Sequence, residues 1–219
     1  MKKPTVLITH EESQTVMTAF LKRGFDAYSC DLLPCSGAYP ERHLQMDCFA
    51  AIDLVKPFFL GMHPECTRLT VAANKYYKPQ YAERFPYIHE QRADAVKHFL
   101  DCAAALERVG RGYIENPVGI MSTNYRKAEQ IIQPYQFGHT ERKATCLWLY
   151  GLPKLKPTNI VKPDIITHKS GRTDSRMHFE TFKLPKEERR KARSKTFQGI
   201  AEAMADQWGN APVYKDLFN

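Results

Sequence analysis

The chain has 219 residues, 43% hydrophobic and 26% charged, values of an ordinary globular domain long enough to bury a sizeable core. No apolar run approaches the ~18 residues of a membrane span. Met1-Lys2-Lys3-Pro4 leads into only five residues before His10, too few for the apolar core of a secretory signal, so a cytoplasmic protein with no membrane partner is expected. The formal charge of +8 is unevenly spread: residues 1–150 carry +2, residues 151–195 carry +8 and residues 196–219 carry −2. A concentrated basic segment favours a polyanionic partner, nucleic acid first, although a solvated basic loop has the same composition. The six cysteines, at 30, 35, 48, 66, 102 and 146, show no Cys-x-x-Cys pair and no Cys/His cluster with zinc spacing. No metal site is expected, and free thiols are favoured over disulfides.

In chain order, Thr5 to Thr9 is a β-branched apolar run and reads as a first strand. His10-Glu11-Glu12-Ser13 reads as a turn that caps a helix running to about Arg23, stopped by Gly24. Phe25 to Cys30 reads as a second strand ending at Asp31. An acid at that position suits a ribose diol, because a carboxylate offers two acceptors to two adjacent hydroxyls; capping the next turn is the alternative. The first turn has no glycine and two glutamates, unlike a loop that cradles phosphates. It leaves room for a cofactor without phosphates, such as S-adenosylmethionine.

Residues 33–46 read as loop, and Asp47 starts a short helix through Val55. Phe58 to Met62 is a buried strand, bounded by Pro57 and Pro64, that delivers Cys66 to the loop at its C-terminal end. Chemistry in α/β proteins is done at that edge, so Cys66 is a candidate nucleophile; a small buried hydrophobe is the bland alternative. Residues 67–86 form a long loop in which Arg68, Lys75 and Tyr76 suit phosphate contacts and base stacking, or simply line a mobile surface. Ile88 to Val109 is the clearest helix, closed by Gly110. Gly112 to Ile114 reads as a strand with Glu115-Asn116-Pro117 at its end, so Cys66 and Glu115 fall on one edge of the sheet after strands joined by one helix. Ala128 to Ile132 is expected to be helical, Tyr135 to Gly138 and Thr145 to Tyr150 to be strands, and residues 151–193 to have little regular structure. A final helix is expected from Arg193 or Ser194, with Ile200, Ala203, Met204 and Trp208 as its apolar stripe.

The order of these motifs resembles that of the cytosine-C5 DNA methyltransferases, in particular the short, divergent methyltransferase-like proteins of bacteriophages, over most of the chain. Ile8 to Ser13 is similar to the cofactor loop, Asp31 to the ribose-binding acid and Asp47 to the acid near the adenine ring. Pro64-Glu65-Cys66 resembles the nucleophile loop, Glu115-Asn116-Pro117 the Glu-Asn motif, Arg142 to Thr145 the basic strand, and Thr196 to Ala201 the motif that completes the cofactor pocket.

The resemblance implies a Rossmann-like, S-adenosylmethionine-dependent methyltransferase fold of the α/β class, with a mostly parallel sheet and helices on both faces. It implies a catalytic core over 1–150, a reduced target-recognition insertion over 151–195 and a returning C-terminal helix over 196–219. Cys66, Glu115, Asn116 and Arg142 would be catalytic. Thr9, His10, Glu11, Ser13, Asp31, Leu32, Asp47, His63, Pro64 and Gln198 would line the cofactor pocket. Arg68, Lys75, Tyr76, Lys143, Arg172, Arg176 and Arg190 would meet DNA. The location would be the cytoplasm of a bacterial host. Two departures stand out: the expected glycine of the cofactor loop is Gln14 or is missing, and Glu65 precedes the nucleophile, where an anion opposes thiolate formation. A non-catalytic nucleic-acid-binding relative and an enzyme acting on free pyrimidine nucleotides are the rival readings.

Overall fold

A computed structural model of the chain describes residues 3–209. It is an α/β protein built on a seven-stranded mixed sheet of order β3-β2-β1-β4-β5-β7-β6. The strands are β1 (Thr5–Thr9), β2 (Asp26–Asp31), β3 (His43–Gln45), β4 (Phe59–Met62), β5 (Gly112–Pro117), β6 (Gln130–Ile132) and β7 (Thr145–Tyr150). The first five run parallel, whereas β7 runs antiparallel to both β5 and β6. The order is compatible with a Rossmann-like fold, in which the chain leaves β1 in one direction to build β2 and β3 and returns beside it as β4.

Side chains along each strand alternate between two cores, as a pleated strand requires. Val6, Ile8, Phe59, Tyr113, Leu147 and Leu149 face one way, packed by α1 (Thr15–Lys22) and the C-terminal helix through Val16, Met17, Phe20, Ile200, Met204 and Trp208. Leu7, Leu60, Met62, Ile114, Cys146 and Trp148 face the other way, packed by α2 (Cys48–Val55) and α3 (Ile88–Val109). Helices therefore cover both faces, which is why β1 and β4 are apolar at nearly every position.

The expected extents of β1, α3 and β7 are met, and Gly110 closes α3 in the left-handed region at φ 75°. Other expectations need correction. Residues 128–132 are not helical: after a one-turn helix α4 (Met121–Asn124), β6 pairs with β7, and Gln130 clamps Leu155 by donating to its carbonyl and accepting from its N–H, both at 2.7 Å. Tyr135 to Gly138 is not a strand, because Pro134 opens a 3-10 turn and Gly138 turns with φ 85°. Residues 33–46 include β3. The loop after β4 winds into 3-10 turns over Val71–Tyr77 and Pro79–Tyr81.

Residues 151–193 are more regular than expected. A hairpin of β8 (Ile165–Thr167) and β9 (Thr173–Ser175) leads into α5 (Arg176–Thr181) and α6 (Lys186–Ser194). The final helix, α7 (Gln198–Gly209), starts later than expected because α6 ends at Ser194 and Lys195 is extended. Residues 210–219 of the expected C-terminal segment lie outside the described residues. Among the described residues, no helix is long and apolar enough to cross a membrane.

Trp208 holds α7 to the sheet. It is fully buried, stacks at 5.2 Å from Tyr113 and donates its indole N–H to the Pro153 carbonyl at 2.9 Å. Its backbone carbonyl accepts from Arg111 at 2.7 Å. Trp208→Ala leaves a large cavity between α7 and the sheet and is expected to cost about 3–5 kcal/mol. Urea denaturation followed by circular dichroism measures this; a loss under ~1 kcal/mol would show that α7 is not part of the cooperative core.

Candidate active site

The C-terminal edge of the parallel sheet gathers the turns after β1, β2 and β4 and the end of β5. Cys66 follows β4, and Glu115 lies within β5 rather than beyond it, paired with Leu147 of β7. Strands β4 and β5 are parallel neighbours, so the expected juxtaposition of the two segments is present. Several bonds clip them together. Asn116 donates its Nδ2–H to the Pro64 carbonyl at 2.8 Å, Ile120 N–H donates to Leu69 O at 2.9 Å, and Val71 N–H to Val118 O at 3.2 Å. A bridge joins Thr70 to Gly119, where a Cβ would meet Leu69 O at 2.2 Å; only glycine permits this approach.

Electrostatics couple the two groups. Burial pushes the Cys66 thiol up to about 11, with the Glu115 carboxylate adding to the rise, Lys143 opposing it and Glu65 adding a lesser increment. The Glu65 carboxylate is exposed and accepts from the Thr67 hydroxyl at 2.7 Å. Burial also raises Glu115, against the pull of Lys143 and a hydrogen bond from Thr145. Lys143 and Thr145 line a small space with Glu115, Phe197 and Ile200, so α7 closes one wall. Gly199 makes this possible: its backbone N–H donates to His139 Nε2 at 2.9 Å, and a Cβ there would strike Phe137 O at 1.9 Å. His63 lies behind this edge, 2.8 Å from the Tyr113 hydroxyl, and burial depresses it to about 3, so it is neutral.

The expected cation is displaced by one residue. Arg142 is exposed and donates to Thr173 Oγ1 at 3.2 Å, facing the β8–β9 hairpin, whereas Lys143 is the cation beside Glu115 and Cys66. Sequence placed Lys143 among DNA contacts; its position in β7's approach, two residues before Thr145, was the signal for a site role.

The turn after β1 is built by its own acids. Glu11 is buried and accepts from Val16 N–H at 2.7 Å and Met17 N–H at 3.1 Å, so its carboxylate occupies the N-terminus of α1; burial raises it to about 7. Glu12 accepts from the Ser36 hydroxyl, and Ser13 Oγ lies 3.2 Å from Thr15 Oγ1. Gln14 adopts φ 58°, the left-handed region that glycine enters without penalty. Its amide offsets this by bonding Ser29, Tyr39 N and Tyr39 O, and its side chain packs on Gly37.

The remaining cofactor candidates make local bonds. Asp31 Oδ1 accepts from Leu33 N–H at 2.9 Å, beside an exposed Leu32, and Asp47 caps α2 by accepting from Phe49 and Ala50. Gln198 bonds Glu202 of its own helix. Thr9 is buried with its hydroxyl 3.1 Å from His10 Nδ1, and the other nitrogen of His10 turns away from the crevice to His98, 3.0 Å distant. His10, Cys48, His98 and Cys102 form a group whose ligand atoms all lie within 4.8 Å of one another, a spatial grouping that the sequence spacing did not show.

Of the DNA candidates, Lys75 lies over the Tyr76 ring, which also packs on Tyr81 and Phe85. The Arg68 carbonyl accepts from Arg92 at 3.1 Å. Arg172 pairs with Asp174, and Arg176 with Asp164, so part of the basic surplus is neutralised locally. Arg190 falls in α6, and its side chain lies outside the described residues. No protein-family model matches this chain, and no curated protein matches it.

The coupling of Cys66 to its neighbours is measurable by alkylation. In the wild type, iodoacetamide labelling of Cys66 is expected to be slow at pH 8 and to accelerate toward pH 11, as the thiolate forms. Glu115→Gln removes the nearby anion and is expected to move that profile to lower pH, whereas Lys143→Met moves it higher. Peptide-resolved mass spectrometry distinguishes Cys66 from the other five thiols; profiles that do not move would show that the three groups are not electrostatically linked.

Proposed function

We propose that the chain is a cytosine-C5 methyltransferase-like enzyme acting on DNA, with S-adenosylmethionine as methyl donor and the corresponding Rossmann-like methyltransferase fold. The observation that carries the reading is the pairing of Cys66 and Glu115 at the carboxyl ends of adjacent parallel strands, fixed together by Asn116 and bordered by Lys143. Cytosine C5 is too electron-poor to take up a methyl group unaided. The Cys66 thiolate adds to C6 and turns the ring into an enamine that is nucleophilic at C5; once C5 carries the methyl group, a base takes the C5 proton and the Cys66–C6 bond breaks to return the thiolate. Glu115 acts at N3, where addition builds negative charge. Burial raises its carboxyl above the ordinary carboxylate range, the direction a general acid needs. Once Glu115 is neutral, it no longer opposes ionisation of Cys66, so the two proton states support each other. Lys143 favours the Cys66 thiolate from the other side. A target base in duplex DNA must be turned out of the stack to reach this edge.

The donor fits one feature of the crevice. In nucleotide-binding folds the N-terminus of the first helix receives a phosphate, but here Glu11 already occupies it, and S-adenosylmethionine has no phosphate. Asp31, Leu32, the backbone of residues 10–13, and His63-Pro64 would hold it. When bound, it supplies an electrophilic methyl group. Asp31 uses one oxygen for Leu33 and keeps the other for a ribose hydroxyl.

A second reading, a nucleic-acid-binding relative without catalysis, is supported by the Cys66 thiol itself, which stays protonated at neutral pH until something lowers it.

DNA containing 5-fluorocytosine separates the two readings. The fluorine cannot leave as a proton, so an active enzyme stalls while bonded through its cysteine. With S-adenosylmethionine present, a covalent adduct is expected on a denaturing gel, absent in Cys66→Ala and reduced at least ~100-fold in rate in Glu115→Gln. No adduct, together with salt-sensitive DNA binding that survives Cys66→Ala, would establish the binding protein instead.

A further inference from the structure

On the opposite side of the sheet edge from Cys66, four side chains converge that the methyl-transfer reading does not use. His10 comes from the turn after β1, Cys48 is the first residue of α2, and His98 and Cys102 stand one turn apart on α3. An i,i+4 spacing puts the last two on one helix face. The two imidazoles meet through their Nε2 atoms at 3.0 Å, and Cys102 Sγ lies 3.7 Å from His98 Nε2. Cys48 reaches both Cys102 and His10. In a tetrahedral zinc site, Zn–N of ~2.0 Å and Zn–S of ~2.3 Å place ligand atoms roughly 3.3–3.8 Å apart. The group already has nearly this spacing, with every ligand atom within 4.8 Å of the others.

We infer that His10, Cys48, His98 and Cys102 form a structural zinc site, which ties the turn after the first strand to helices α2 and α3. Several independent features agree. The donor set is two thiols and two imidazoles, the choice of a borderline-soft divalent ion that prefers four tetrahedral ligands. Both thiols are buried and both rings are partly exposed, which leaves a path for the ion. His10 adopts φ 58°, an uncommon backbone state for a side-chain-bearing residue, and this turns its ring into the group rather than toward the crevice. Its other nitrogen, Nδ1, lies 3.1 Å from the buried Thr9 hydroxyl, the kind of outer contact that fixes the orientation of a metal-bound imidazole. Cys48 sits at a helix N-terminus capped by Asp47, where a thiolate is favoured. With four protein ligands the coordination shell is closed, so the ion has no open position for chemistry and holds structure instead. The inference stands apart from Cys66 and Glu115 and survives if the methyltransferase reading fails.

The test uses the full chain, without a metal-binding tag, purified under reducing conditions after growth with added zinc. Elemental analysis is expected to find about one zinc per chain, falling to near zero in Cys48→Ser and in Cys102→Ser but not in Cys30→Ser, whose thiol lies outside the group. If the two ligand variants do not fold, the wild type decides alone. Zinc is stripped and replaced by cobalt(II), which is expected to show the visible bands of a tetrahedral site and a charge-transfer band sized for two thiolates. Wild-type protein that neither carries zinc nor takes up cobalt overturns the inference. So does a Cys48–Cys102 disulfide found by mass spectrometry in the reduced, freshly purified protein.

Discussion

The architecture of the candidate site depends on the parallel pairing of β4 with β5 and on the hydrogen bonds that continue it beyond the strands. A parallel sheet ordinarily ends in loops that are free to diverge. Here the two loops stay in contact for several more residues, from Asn116 on Pro64 to Ile120 on Leu69. Gly119 is the residue that lets the backbones touch, and Asn116 is buried with its Oδ1 unpartnered among the described residues. An unmet buried acceptor costs on the order of 1–3 kcal/mol. That cost is tolerable where a neighbouring group or a substrate donor can meet it, and Asn116 adjoins Glu115.

The electrostatics follow from that enforced proximity. Two acidic groups, a thiol and a carboxyl, are held together in a poorly solvated place, so each makes ionisation of the other harder. Lys143 offsets part of this for both. The result is a thiol that stays protonated at neutral pH beside a carboxyl raised above the ordinary carboxylate range. Glu65, which looked in sequence like the main obstacle to thiolate formation, contributes less than Glu115, because it points to Thr67 and is screened by solvent.

How legible this was in the sequence varied with the range of the interactions. Strands β1 and β7 and helix α3 are set by local apolar patterns, Val6-Leu7-Ile8, Cys146 to Leu149 and Phe99 to Leu106, and their extents could be read directly. The β4–β5 edge was legible for the same reason, since two short apolar strands joined by a helix have one favourable handedness. Strand β6 was not. Gln130-Ile131-Ile132 has no strong pattern and becomes a strand because β7 offers an edge and Gln130 finds Leu155. The hairpin and helices of residues 165–194 were hidden because the segment is rich in charge and the hairpin is held by the backbone pairing of β8 with β9, which no apolar stripe announces.

Side-chain roles at the turn after β1 were the least legible, and the reason is geometric. Four consecutive polar residues, His10 to Ser13, gave no indication of which way each would point. The structure sends Glu11 inward to cap α1, Glu12 outward to Ser36, and the His10 ring across to α3. The left-handed backbone at His10 and again at Gln14 produces these alternations, and neither residue signals it as a glycine would. The same geometry concealed the Cys/His group. Zinc spacing is recognised in sequence when ligands come in close pairs on one hairpin, and here only His98 and Cys102 are close. The other two arrive from positions 10 and 48, brought in by β1 and α2 packing against α3. The turn that shapes one side of the crevice is therefore anchored from behind, by side chains on the far face of the sheet, and its rigidity is a property of the α2–α3 layer as much as of the crevice itself.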